Sequence, residues 1–224
     1  MSFTVEGLII KTIPYRESDH ILTVFSKEQG LISLFCKKKN RPNVSFISPL
    51  VQAEFVLRQG KGELYLCEEI SLIDSFLKIR EKIESFEAAF QILRLILDSQ
   101  FPHKSAPQLY ELLIRYFQEI PLSAYPQTLS ASFSAKVLRH EGLFGLNLVC
   151  ATCQTPLETC CYAHQGESFC QIHEILPSII MQKEELETLL FLAFCRNLNE
   201  LSTQSISLSL YKKTLEFFYQ SIRP

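Results

Sequence analysis

Residues 150 to 173, "CATCQTPLETCCYAHQGESFCQIH", hold five of the chain's eight cysteines and two of its five histidines. Cys150 and Cys153 form one pair, and after sixteen intervening residues Cys170 and His173 form a second, giving a C-x2-C, x16, C-x2-H spacing. Two residues between ligands let a tight turn aim both side chains at one ion while its backbone amides help stabilise thiolate charge. Two such turns face to face complete a tetrahedron. Zinc is the natural occupant of a site built from thiolates and an imidazole, with iron or another soft ion as the alternative. Four protein ligands leave no open position for water, so the expected metal is structural. Cys160, Cys161 and His164 lie between the pairs as alternative ligands, but they lack the two-residue turn, and adjacent cysteines project in different directions. Cys36, Cys67 and Cys195 sit inside apolar runs and are expected in the core.

A second kind of chemistry is written in charge. The chain carries a net −2, yet residues 1 to 80 hold 11 Lys/Arg against 9 Asp/Glu, so the basic excess lies in the N-terminal part. Between residues 31 and 62, Lys37, Lys38, Lys39, Arg41, Arg58 and Lys61 face only Glu54. Such a patch suits a polyanion, and a solvated loop is the plain alternative. No run approaches the roughly 18 apolar residues of a membrane span. The N-terminus lacks a basic stretch followed by an apolar signal core, which makes the expected location the reducing cytoplasm, where clustered cysteines are metal ligands or free thiols.

These residues need a scaffold. Up to about residue 75 short runs rich in Val, Ile, Leu and Phe alternate with turn signals: "FTVEGLIIKTI", "HILTVFSK", "GLISLFCKK", "LVQAEFVLRQ" and "ELYLCEEISLID". Five strands without a crossover helix predict antiparallel pairing and a sheet closed on itself, most commonly an OB-fold barrel. After residue 80 the apolar spacing becomes helical, at Ile83, Phe86, Phe90, Leu93 and Leu97. Further helices are predicted at "APQLYELLIRYFQEI", at "PQTLSASFSAKVLRHEG" with Gly142 as a stop, at "KEELETLLFLAFCRNLNEL", and from about 207 to the end. The fold class is thus α+β and multidomain. An OB-fold DNA-binding domain spans 1–78, and an all-helical domain spans 79–224 with a Cys3His zinc element, 148–176, inserted.

Phosphate-binding glycine loops, nucleophile elbows, H-E-x-x-H and deaminase signatures are all missing from the sequence. Instead, "GLIIKTIPYRESDHILTVFSKEQGLISLFCKKKNRP", followed by helices and a Cys-pair insertion, resembles the RecO family of bacterial recombinational-repair mediators over nearly the whole chain. The resemblance rests on Gly7, Lys11-Thr12, Tyr15, Glu17 to Asp19, Thr23, Phe25, Gly30, Lys37, Arg41-Pro42 and Phe46. A helix ending near Gly142, the metal-type cysteines and "YKKTLEFF" extend it. It implies a non-enzymatic protein that binds single- and double-stranded DNA and anneals complementary strands. It also implies contact with the acidic C-terminal tail of single-stranded DNA-binding protein (SSB) and, with RecR, loading of RecA onto coated DNA, in a bacterial cytoplasm at the nucleoid during repair. Through the resemblance, DNA contact is expected at Lys11, Lys37 and Arg41, while Arg16, Lys38, Lys39, Arg58 and Lys61 are added from local charge. Asn43, Val44 and Ser45 replace the family's further basic residues, and His173 stands where a fourth cysteine is common. Two alternatives are an RNA-binding OB module and a zinc-dependent enzyme using Cys153, His164 and Glu167.

Overall fold

A computed structural model describes residues 2–16, 19–37, 47–60 and 62–223. It divides the chain into two compact units, one formed by 1–82 with 96–118 and the other by 83–95 with 119–224. Among the described residues no helix is long and apolar enough to cross a membrane.

The first unit is built on a closed barrel of β1 (Ser2–Tyr15), β2 (Asp19–Ser26), β3 (Gly30–Cys36), β4 (Gln52–Arg58) and β5 (Leu64–Asp74), in the ring order β1-β2-β3-β5-β4. This is the predicted five-stranded OB-fold, and each predicted strand is present. One expectation is corrected: β3 and β5 run parallel, while the other neighbours are antiparallel. The reason is topological. A ring with an odd number of strands cannot alternate direction at every step, so closure of five forces at least one parallel pair.

β1 is long because it serves two neighbours, β4 through Ser2–Leu8 and β2 through Gly7–Tyr15, with a bulge between Ile9 and Lys11 where it turns from one to the other. Gly7 sits where both partners meet, and a Cβ there would run into Val24 and stand 3.2 Å from the Phe25 carbonyl oxygen. Inward positions carry the core, with Val5, Ile9, Leu22, Val24, Ile32, Leu34, Phe55 and Leu57 all buried. Cys36 and Cys67 are buried with them, as expected.

In the same unit, α2 (Pro107–Glu119) brings Tyr110 to 6.0 Å from Phe25 and Phe117 to 5.5 Å from Phe76, ring centre to ring centre. The Tyr110 hydroxyl donates to Glu6 Oε1 at 3.0 Å, and Gln52 Nε2 donates to the same oxygen at 2.8 Å. Burial, then the Glu6 charge, pushes the Tyr110 phenol well above its ordinary range, so it stays a donor.

α1 (Ile83–Ser99) begins in the second unit and ends in the first. The second unit is organised on α3 (Pro126–His140), which packs against α4 (Lys183–Phe194), α5 (Leu198–Ser202) and α6 (Leu208–Ile222). α3 is buried from Thr128 to Ala135 despite four hydroxyl side chains, because those hydroxyls find carbonyls: Ser132 Oγ donates to Leu192 O at 2.6 Å and Ser134 Oγ to Ala131 O at 2.7 Å. The long helix expected over "KEELETLLFLAFCRNLNEL" is two, α4 and α5. The chain extends at Cys195, and Asn197 restarts a helix by accepting the Asn199 N–H at 3.1 Å. Cys195 is accordingly half-buried, not in the core. The second unit also holds a feature absent from the expectation of an all-helical domain, a three-stranded sheet of β6 (Cys160–His164), β7 (Glu167–Phe169) and β8 (Ile179–Gln182) in the order β7-β6-β8, with β8 beyond the predicted 148–176 element.

Candidate metal centre and nucleic-acid interface

The metal-type residues are gathered by the β6–β7 hairpin. Its two-residue loop, Gln165-Gly166, has φ of 42° and 92°, the left-handed geometry that matches strand twist and that glycine accepts at no steric cost. Ala151 N–H donates to Ser168 O at 2.8 Å, tying the first cysteine turn to β7, and Cys170 follows directly after that strand. Within the first turn Gln154 N–H donates to Cys150 O at 2.9 Å. In the second, His173 N–H donates to Cys170 O at 3.0 Å.

The result brings one ligand atom from each of Cys150, Cys153, Cys170 and His173 within 4.8 Å of the others. Cys153 Sγ is 3.8 Å from Cys170 Sγ, and His173 Nδ1 is 3.3 Å from Cys170 Sγ and 3.7 Å from Cys150 Sγ. A tetrahedral ion with metal–sulfur bonds of about 2.3 Å requires sulfur–sulfur edges of about 3.8 Å and slightly shorter sulfur–nitrogen edges. The four side chains therefore fit a metal ion of that size.

Electrostatics favour the thiolate at two of the three cysteines, while burial raises Cys170. Burial pushes the Cys150 thiol up, but N–H groups of Cys153, Cys170 and Thr152 aimed at its sulfur outweigh this and bring it down to about 6. The Thr155 hydroxyl and N–H lower Cys153. His173 is raised by its hydrogen bonds to the cysteine sulfurs.

The alternative ligands stand apart from this group. Cys161 is buried in β6 and its thiol is pushed up to about 12, chiefly by burial, which keeps it protonated. His164 Nδ1 lies 2.7 Å from the Pro177 carbonyl, and Glu167 is paired with His164 across the hairpin. The constellation of Cys153, His164 and Glu167 that an enzyme reading would need is not assembled.

The predicted DNA-binding residues fall into three groups. Lys11, Arg16 and Lys37 are exposed: Lys11 follows the β1 bulge and pairs with Thr23, Arg16 lies just past β1, and Lys37 just past β3. Arg58, at the end of β4, is already engaged, its Nε 2.9 Å from Glu68 Oε1. Lys38, Lys39, Arg41 and Lys61 lie outside the described residues.

Between the exposed cations the structure places residues that charge counting missed. Outward positions of the barrel form a ladder row in which Ile13 pairs with Ile21, Ile21 with Phe35, and Phe35 with Leu66. Ile13 is 42% exposed and Tyr15 40%, unusual for large apolar groups on a barrel wall. Tyr15 meets Phe35 edge to face at 5.7 Å, and the Arg16 guanidinium lies 5.3 Å from the Tyr15 ring centre. Flat apolar surface flanked by cations can stack bases and hold phosphates at once. The signal in the sequence is that β2 and β3 carry apolar residues on both phases, Ile21 and Phe35 beside Leu22, Val24, Ile32 and Leu34, more than one inward face needs.

The first 76 residues match the family model described as the N-terminal domain of recombination protein O. The chain is 25% identical over 204 residues to the DNA repair protein RecO of Chlamydia pneumoniae, covering 90% of this chain and 81% of that one. It is 28% identical to the RecO of Chlamydia trachomatis serovar D, over 90% and 84% of the two chains. With the RecO of Bacillus cytotoxicus the identity is 29%, over 90% and 83%. The chain is thus similar to RecO proteins over nearly its whole length, and its first 76 residues match the RecO N-terminal model. The alignments run through both of its units, so the similarity to RecO proteins extends beyond the barrel to the Cys3His element and the helices.

Proposed function

We propose that this RecO-family chain is a non-enzymatic mediator of DNA repair and homologous recombination. It binds single- and double-stranded DNA on the outer face of its barrel and anneals complementary strands. With RecR it helps load RecA onto SSB-coated single strands, contacting the acidic C-terminal tail of SSB, in the cytoplasm and at the nucleoid during repair. The observation that carries the reading is the pairing of Tyr15 and Phe35 between Lys11, Arg16 and Lys37, a sequence-tolerant stacking platform with phosphate partners on its flanks. Residues 1–78 are the DNA-binding domain, and Lys38, Lys39, Arg41 and Lys61 are further candidate DNA contacts by their charge.

Annealing needs no covalent step. Two phosphate backbones must be neutralised while their bases remain free to pair, and cations flanking a stacking surface lower the cost of bringing like-charged strands together. Zinc, held by Cys150, Cys153, Cys170 and His173, supplies structure only. It cross-links the turn before β6 to the turn after β7 within the 148–176 insertion, and all four of its positions are filled by protein.

Annealing of complementary oligonucleotides coated with SSB tests the proposal. Accelerated annealing that survives saturation with SSB is the expected result, and a rate equal to the protein-free control refutes it. Competition between single-stranded DNA and RNA of equal length distinguishes the RNA-binding alternative, which requires RNA to win.

A further inference from the structure

A cleft of about 240 Å³ opens on the barrel unit, one step along the same outward face. Its floor is Thr23 and Ser33, which pair across β2 and β3, and Thr23 also pairs with Lys11. Thr23 and Ser33 are two residues from Ile21 and Phe35, about 7 Å along the strands. Leu97, Gln100, Pro102 and His103 complete the walls. The segment carrying His103 is fastened to the barrel, since Pro102 bridges to Leu31 and the His103 N–H donates to Leu31 O at 3.0 Å. His103 has φ 59°, a left-handed conformation that a non-glycine residue keeps only where its surroundings hold it, and its ring stands edge-on to Tyr65 at 5.9 Å.

The lining identifies the occupant's class. The volume is below the roughly 300–1,000 Å³ of sites for drug-sized ligands, which leaves room for a single small heterocycle. None of the described lining residues is Lys or Arg, and Glu63 is among them, so a phosphate has no partner here. Two hydroxyls and an imidazole offer donors and acceptors, as the edge of an uncharged base requires, while Leu97 and Pro102 give its faces apolar contact.

We infer that this cleft receives one nucleobase, turned out of the stack, from single-stranded DNA lying across the Tyr15–Phe35 face. The inference rests on the DNA-binding reading above and adds to it a discrete base site. The phosphates on either side of the inserted base then fall within reach of Lys11, and the strand is anchored at one point and stacked at the next.

The test uses the full chain and an oligothymidine carrying 5-iodouracil, cross-linked by light and mapped by peptide mass. The expected result is adducts at His103 as well as at Tyr15 or Phe35. S33L fills the cleft and removes the His103 adduct while leaving the aromatic-face adducts. It also lowers affinity about 10-fold, the scale of one lost base contact. H103G, whose backbone accepts the left-handed conformation, gives the same affinity loss and guards against S33L failing to fold, which thermal melting reveals. Adducts at Tyr15 or Phe35 with none at His103 overturn the cleft and leave the DNA-binding reading standing. Absence of any adduct and of any binding overturns both. An adduct at His103 from iododeoxyuridine monophosphate but not from the oligonucleotide makes a free nucleotide the source and overturns the assignment to DNA.

Discussion

Replacing Lys11 and Lys37 together by glutamine removes two exposed cations that make no ion pair among the described residues, so each is free to displace a counterion from a phosphate. For single strands every phosphate contact contributes about 0.7 to the slope of log affinity against log salt, and the pair together about 1.4. A fourfold rise in salt, from about 50 to 200 mM, should therefore weaken the native protein about 7-fold more than the variant. Contributions from Lys38, Lys39 and Arg41 are common to both proteins and cancel. Arg58 supplies the internal contrast, because its Nε is 2.9 Å from Glu68 Oε1 and its charge is already partnered. R58Q should change the slope little, and E68Q, which releases Arg58, should steepen it by up to about 0.7. Fluorescence anisotropy of a labelled oligothymidine over a salt series measures all four proteins. Equal slopes for the native protein and K11Q/K37Q, or a loss in R58Q as large as half that in K11Q/K37Q, would refute the assignment of phosphate contacts.

Other consequences concern stability. Y110F keeps the ring and removes the hydroxyl that Glu6 accepts from, and it should cost about 1.5–3 kcal/mol in urea unfolding; an unchanged midpoint would show that the buried contact carries no weight. C153S should lose the bound metal and lower the melting temperature, whereas C160S should keep one ion per chain, and cobalt substituted at the site should show a tetrahedral, thiolate-rich spectrum without a pH-sensitive water ligand. Glu185 has a pH signature. Burial raises its carboxyl, but the Lys213 ammonium at 2.5 Å and the Gln182 N–H outweigh this and hold it below its usual value. Because the folded value is the lower one, the stabilisation is complete above the ordinary carboxylate range and disappears as pH falls from about 5. K213M should thus be less stable by about 1 kcal/mol at pH 7 and no different from the native protein at acid pH, as read from urea midpoints.

The strands and the metal ligands were legible in the sequence for the same reason: each is specified by local spacing. Short apolar runs between turn signals mark β2 and β3, and two C-x2 turns mark four candidate ligands without knowledge of the fold. What escaped depends on closure or on context. The parallel β3–β5 pair follows from the number of strands in the ring, which no single strand records. The small sheet beside the Cys3His group consists of strands of three to five residues, too short for periodicity, and only Gln165-Gly166 hints at the hairpin. The helix break at Cys195 was signalled by Asn197, a capping residue lost within an otherwise helical run. The stacking face was hidden because Ile13, Tyr15, Ile21 and Phe35 read as core by composition, and only the register shows that they point outward.

The Cys3His group concentrates the reactive side chains, yet the proposed work falls to the barrel's aromatic and basic face. One measurement bears on this most directly: the affinity of Y15A/F35A for a short oligothymidine at fixed salt, beside that of C150S. Y15A/F35A should bind at least about 10-fold more weakly with its melting temperature retained, whereas C150S should melt lower but bind as tightly wherever it is folded. Native affinity in Y15A/F35A, with binding lost in folded C150S, would contradict it.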